Sequence, residues 1–182
     1  NNKLKINLLN FYKKKDSKSS LSLQGKLVEG KNLFFQYIDF INEDNLINVK
    51  KLSLDNDLRF LDLGMLNLNF NDIENFRNEV IIKKNKKDYE LDGKVLNASK
   101  IISNLLKGND NKSDFFKNDL KIKVNLKKVF LDNDHFINDL KGYFEIEDSK
   151  VINAELNSYF ENQMKLSFTV KKIDNKKITT FF

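Results

Sequence analysis

Apolar and polar residues alternate along most of this chain with a period of two. The clearest run is LKIKVNLK. Leu120, Ile122, Val124 and Leu126 fall on one face, and Lys121, Lys123, Asn125 and Lys127 on the other. Strict alternation of this kind describes a strand with one dry and one wet face. The pattern recurs downstream. LKGYFEIE places Leu140, Gly142, Phe144 and Ile146 together, and VINAELNSYF places Ile152, Ala154, Leu156 and Phe160 together with Val151 and Tyr159 opposite. KLSFTVKK aligns Leu166, Phe168 and Val170. Short breaks rich in Asp and Asn separate these runs, and such residues tolerate the backbone of tight hairpins. Residues 120–182 therefore read as a meander of about five strands.

The first half is less regular. Strands are expected over 3–12, 20–28, 32–41, 46–54, 58–63, 65–71 and 77–83. The run NLFFQYIDFI is apolar on both faces, which predicts a strand covered on both sides. LNLNFN sends Leu66, Leu68 and Phe70 one way and Asn67, Asn69 and Asn71 the other. One stretch breaks the rule. After YELDGKVL, the residues Ala98, Ile101, Ile102, Leu105 and Leu106 keep helical spacing. Asn97 or Ser99 can cap such a helix and Gly108 can end it. The sequence thus predicts a mainly β fold with one short helix near 97–107. About ten residues do not hold a helix alone, so its apolar face must dock on the sheet. No linker composition divides the chain.

Composition removes several chemistries. The 182 residues include 16 Phe and no Cys, Pro or Trp. Disulfides, thiolate nucleophiles and thiolate metal sites are excluded. The six glycines are isolated, so no phosphate-cradling loop is present, and neither G-x-S-x-G nor H-E-x-x-H occurs. His135, the single His, lies in the turn DNDHF with Asp132, Asp134 and Asp139 near in sequence, but acidic residues are common in hairpin turns and it reads as a solvated turn residue. Asp/Asn clusters at 55–57, 109–111 and 132–134 lack the Gly and the closing Glu of a calcium loop, and read as turns. No catalytic residue, cofactor or metal is expected.

The formal net charge of +6 is uneven. Residues 1–31 hold eight Lys against Asp16 and Glu29, whereas residues 32–76 hold three basic and eight acidic residues. The basic runs Lys13–Lys15, Lys83–Lys87 and Lys127–Lys128 are candidates for phosphate contact. Lys on wet faces and strand edges, where it blocks edge-to-edge aggregation, is the simpler reading. Nucleic acid is not expected as a partner, because the Phe residues sit on dry faces and not among the Lys.

From Tyr89 onward the order of features resembles the C-terminal repeat region of the AsmA-like family, the group of AsmA, YhdP and TamB. A strand ends near Gly93. Leu96, Asn97, Ile101 and Ile102 then stand where the family opens a short helix, and Leu140, Gly142, Lys150 and Leu156 follow its hairpin pattern. Asn97 replaces a frequent Asp and Lys150 a frequent Gly, and at 97 either residue can cap. The match covers 89–182, and residues 1–88 read as further strands of the same sheet. The resemblance implies a long antiparallel sheet curved into an open, taco-like groove. It implies a single fragment of a larger, inner-membrane-anchored protein of the Gram-negative periplasm, with the anchor outside this chain. The implied role is phospholipid transport toward the outer membrane and outer-membrane biogenesis.

On that reading the groove lining for phospholipid acyl chains is Leu120, Ile122, Val124, Leu126, Phe144, Ile146, Ile152, Leu156, Leu166 and Phe168. The same residues would serve equally as the core of a closed structural or adhesive β-domain. A third class, a hydrolase or carbohydrate-active β-domain, would need a polar cleft with paired carboxylates, for which only the acidic segment 39–74 offers material, and its residues read better as turns.

Overall fold

In the computed structural model the residues described are 2–28, 32–101, 119–147, 150–173 and 176–181. Nearly all are strand. β1 (Leu4–Ile6) and β2 (Phe11–Lys13) form a small sheet of their own. The other strands are β3 (Ser19–Val28), β4 (Asn32–Asn42), β5 (Asn45–Leu54), β6 (Phe60–Asp62), β7 (Met65–Asn71), β8 (Arg77–Asn85), β9 (Asp88–Asn97), β10 (Leu120–Phe130), β11 (Phe136–Glu147), β12 (Lys150–Phe160), β13 (Lys165–Ile173) and β14 (Lys176–Phe181). They make one open, curved, 12-stranded sheet in the order β14-β13-β12-β11-β10-β9-β8-β7-β5-β4-β3, with β6 also paired to β5. The mainly β expectation holds, and residues 120–182 form the five expected strands.

Residues 3–12 do not make one strand. The chain turns through a 3-10 helix at Asn7–Leu9, and Asn10 takes a left-handed backbone with φ 51°. This fold-back separates β1 and β2 from the large sheet and drops Phe11 onto its apolar face. The Phe11 ring meets Phe40 and Phe70 edge-on, at centroid distances of 5.8 and 5.6 Å. Each such contact adds about 0.5–1.5 kcal/mol to the area buried.

β4 also departs from expectation. Only Phe40 and Asn42 are buried, Phe34 and Phe35 are half-buried, and Ile41 is exposed. Nothing described covers its second face, and its neighbour β3 is exposed at every position.

Adjacent strands are antiparallel at every junction except one. β9 and β10 run parallel, with Tyr89 opposite Ile122 and Gly93 opposite Leu126. A tight hairpin cannot join parallel neighbours, because the chain must return to the starting edge through a crossover. The connection 98–119 does this, and the helical turn at 99–101 begins it. The break in the run of hairpins is therefore a topological requirement of the parallel pair. Ala98 is buried in the core, Ile101 is exposed, and the remainder of the expected helix, 102–107, lies outside the described residues.

Asn97 fixes where the strand stops. Its Oδ1 accepts the Ser99 N–H at 3.1 Å, so Asn97, and not Ser99, is the cap. Its Nδ2 donates to Asp72 Oδ2 at 2.8 Å and to Glu74 Oε2 at 3.1 Å, tying the crossover to the β7–β8 turn. Asp would do only part of this work. It would keep the cap but place a third carboxylate against two others and lose both donors. Asn97→Asp is expected to lower stability at neutral pH by about 1–3 kcal/mol. Urea unfolding at pH 7 measures the loss.

Candidate functional site

The strongest candidate surface is the apolar face of the large sheet. Strand register builds it as rows running across the strands. One row passes from Leu23 through Ile38, Val49, Leu66, Ile82, Leu91, Val124, Gly142 and Leu156 to Phe168, each the direct partner of the next. A second holds Phe40, Ile47, Leu68, Val80, Gly93, Leu126 and Leu140. A third holds Tyr89, Ile122, Phe144, Ala154 and Val170, and a short fourth holds Leu120, Ile146 and Val151. The opposite face is polar along the matching row Asp39, Asn48, Asn67, Ile81, Asp92, Asn125, Lys141, Asn157 and Ser167. There Asn125 donates to Asp92 at 3.0 Å, Ser167 donates to Asn157 at 2.7 Å, and Asn48 donates to Asp39.

Nine of the ten lining candidates share this face by register. Leu120, Val124, Leu126 and Ile146 are buried, while Ile122, Phe144, Leu156, Leu166 and Phe168 are half-buried. Ile152 is the exception. Glu145 pairs with Asn153 and Ile146 with Val151, so Ile152 is the extra residue of a bulge. Val151, expected on the opposite side, packs with Phe60, Tyr89, Leu120 and Ile146. Ile152 instead lines a depression at the end of the strands.

The lining candidates left out the first half, where Phe40, Ile47, Leu68, Phe70 and Val80 are buried on the same face. Sequence periodicity also missed a shift of phase. In three neighbouring strands the core positions step by three instead of two at the same level, between Gly93 and Leu96, Leu126 and Val129, and Ile137 and Leu140. Bulges account for the shift. Lys94 is extra in β9, and Asp139 takes φ 51° in β11. The β9–β10 register stays constant through the step, so these strands change phase together.

Two glycines make the close strand approach possible. A Cβ on Gly93 would lie 2.6 Å from the Glu79 carbonyl oxygen. One on Gly142 would lie 1.9 Å from the Glu155 carbonyl oxygen, and Gly142 has φ +143°.

Tyr89 stitches the second apolar cluster to the sheet rim. Its hydroxyl accepts the Leu63 N–H at 3.3 Å and donates to Asp62 Oδ1 at 2.8 Å, while Lys84 Nζ reaches the same carboxylate at 2.6 Å. Burial pushes the tyrosine hydroxyl well above its ordinary pKa, and Asp62 pushes it further. For Asp62 burial acts upward, but the bonds from Lys84 and Tyr89 outweigh it and hold the carboxyl below its ordinary value.

The remaining candidates resolve into structural roles. Asp55 Oδ1 accepts from the Asp57 and Arg59 amides, Asp72 Oδ1 from Glu74 and Phe76, and Asp132 Oδ1 from Asp134 and His135. The clusters read as turns are side-chain-stabilised turns, and 109–111 lies outside the described residues. His135 is exposed, with Nδ1 at 2.9 Å from both Asp132 oxygens. Among the described residues no group of three or more His, Asp or Glu is placed to hold a metal. Also among them, no helix is long and apolar enough to cross a membrane.

Of the basic runs, Lys13 is buried and donates to the Asn2 and Lys14 carbonyls, and Lys128 lies 3.7 Å from the Phe136 ring centroid. Lys86 and Lys87 stay exposed at the β8–β9 turn.

Comparison with known protein families, curated proteins and solved structures finds no match, and nothing in it points to the AsmA-like family.

Gly142→Ala is expected to destabilise by about 2–4 kcal/mol, through backbone strain and a clash that flexible side chains cannot relieve. Tyr89→Phe should cost about 1 kcal/mol, the net value of a buried hydrogen bond. Chemical denaturation of both variants measures these losses.

Proposed function

We propose that this chain is a segment of an envelope-spanning, AsmA-like protein, and that the apolar face of its sheet is a bed for phospholipid acyl chains. The observation that carries the reading is the partial burial of the Leu23-to-Phe168 row. Leu23 is 52% exposed, Ile38, Val49, Leu66, Ile82, Leu91, Leu156 and Phe168 are half-buried, and Val124 is buried. A filled sandwich core would bury most of such a row. A continuous apolar strip gains about 0.8 kcal/mol for each methylene it removes from water and needs no specific hydrogen bond to do so. On this reading the protein carries phospholipid within the periplasm, anchored in the inner membrane through a segment outside this chain, and performs no catalysis.

A second reading has one observation of its own. Phe11 fills the face over Phe40 and Phe70, as the core of a structural or adhesive β-domain would be filled.

Lipid capture separates the two. The protein purified without detergent and examined by native mass spectrometry should carry phospholipid. Ile122→Asp and Phe168→Asp, if they unfold as cooperatively as the parent, should lose it. A lipid-free, cooperatively folded parent that takes up no added phospholipid supports the filled domain.

A further inference from the structure

The large sheet ends on two strands, β3 and β14, and they differ in how they are guarded. β14 carries Lys176 and Lys177 among its six residues, and lysine on an edge strand discourages pairing with another chain. β3 has ten residues, and Lys26 is its one charge. It is exposed at every position, and β4 is its one strand partner among the described residues. The outward backbone groups of β3 therefore have no ladder partner there. Its side chains alternate cleanly. Leu21 and Leu23 lie opposite Phe40 and Ile38 on the apolar face, and Leu27 lies opposite Leu33. These leucines are 62, 52 and 67% exposed. Ser20, Ser22 and Gln24 alternate with them on the polar face.

The chain's own path does not cover this edge. In a meander the strand before β3 would lie beside it. Here the preceding strands are held elsewhere. β1 and β2 pair with each other, and Phe11 of β2 packs on Phe40 and Phe70 over the apolar face. Buried Asn42, at the end of β4, fixes the entry to β3 by donating to Ser17 Oγ at 3.1 Å and to the Lys18 carbonyl at 2.8 Å.

We propose that β3 pairs antiparallel with β3 of a second copy of this chain, about a two-fold axis perpendicular to the sheet. Such an axis keeps both apolar faces on one side and joins them into a single face. The strand is self-complementary in the register centred on Gln24. Leu21 then stands opposite Leu27 of the second copy, and Leu23 opposite its Gly25. A Cβ on Gly25 would lie 2.8 Å from the Phe35 ring, so Leu23 of the other copy comes to rest against that ring. On the polar face Ser22 meets Lys26 and Ser20 meets Val28. No like charges face one another, whereas the register centred on Ser22 sets Lys26 against Lys18. Pairing covers three leucines on each copy and supplies the backbone partners that β3 lacks. An open head-to-tail array would use the lysine-bearing β14 edge, so association stops at the dimer. This pairing is independent of what the apolar face carries.

Analytical ultracentrifugation of the full chain tests the dimer. A single strand edge is a small interface, so a dissociation constant on the order of 10 µM is expected. Leu21→Lys combined with Leu27→Lys should weaken association at least tenfold. Both side chains are exposed in the monomer, so urea unfolding of the dilute variant should match the parent. Ile178→Lys, on the β14 edge, should leave the dimer unchanged. Because the chain has no Cys, single-cysteine variants report the register. Oxidation of Gln24→Cys should give a cross-linked dimer, since the two copies of position 24 meet at the axis. Ser20→Cys should not cross-link, its two copies standing about 27 Å apart along the strands. A chain that stays monomeric at about 500 µM overturns the pairing. So does a dimer indifferent to the lysine pair, one lost with Ile178→Lys, or one that cross-links through Ser20→Cys as readily as through Gln24→Cys.

Discussion

Everything in this protein depends on strand register. A slip of one residue turns every side chain to the other side of a sheet. Here a single apolar row is held in line from Leu23 to Phe168, across strands far apart in sequence. Simple alternation does not keep that alignment to the ends of the strands. In β9, β10 and β11 the apolar residues step by three at one level, and the bulges at Lys94 and Asp139 absorb the step. Leu96, Val129 and Ile137 therefore stay on the apolar face, and Lys94 and Lys127 stay in water. Lys94 turns this to use by bonding to Glu79 at 2.6 Å.

The same step coincides with the one parallel junction among the described strands. β9 and β10 change phase together because their parallel register is unbroken. The crossover that permits it leaves β9 at Asn97, whose amide serves the helical turn and the β7–β8 turn simultaneously. One side chain thus links a change of strand direction to the turn beside it. An acid at that position could do only half of this work.

The fold leaves an apolar face covered unevenly. Phe11 closes it over Phe40 and Phe70, while its middle row is half-buried out to Leu156 and Phe168 except at Val124, which is buried. The sheet thus has one dry face and one hydrogen-bonded polar face. The polar face carries its own amide and carboxylate contacts, and much of the charge singled out in the sequence serves the fold. Lys13 binds carbonyls, Lys84 holds Asp62 and Lys128 stacks on Phe136.

The sequence by itself determined the class of structure, the five C-terminal strands, the turns and the face of nearly every lining residue. These follow from local properties: side chains alternate with the pleat, and Asp and Asn bond to their own turns. The side of Val151, the phase step at Lys94 and Asp139, the fold-back at Asn10 and the parallel pairing of β9 with β10 were decided only in the tertiary structure. Each depends on which residue lies opposite in a neighbouring strand. A bulge is defined by the partner it faces, and local alternation carries no record of that partner.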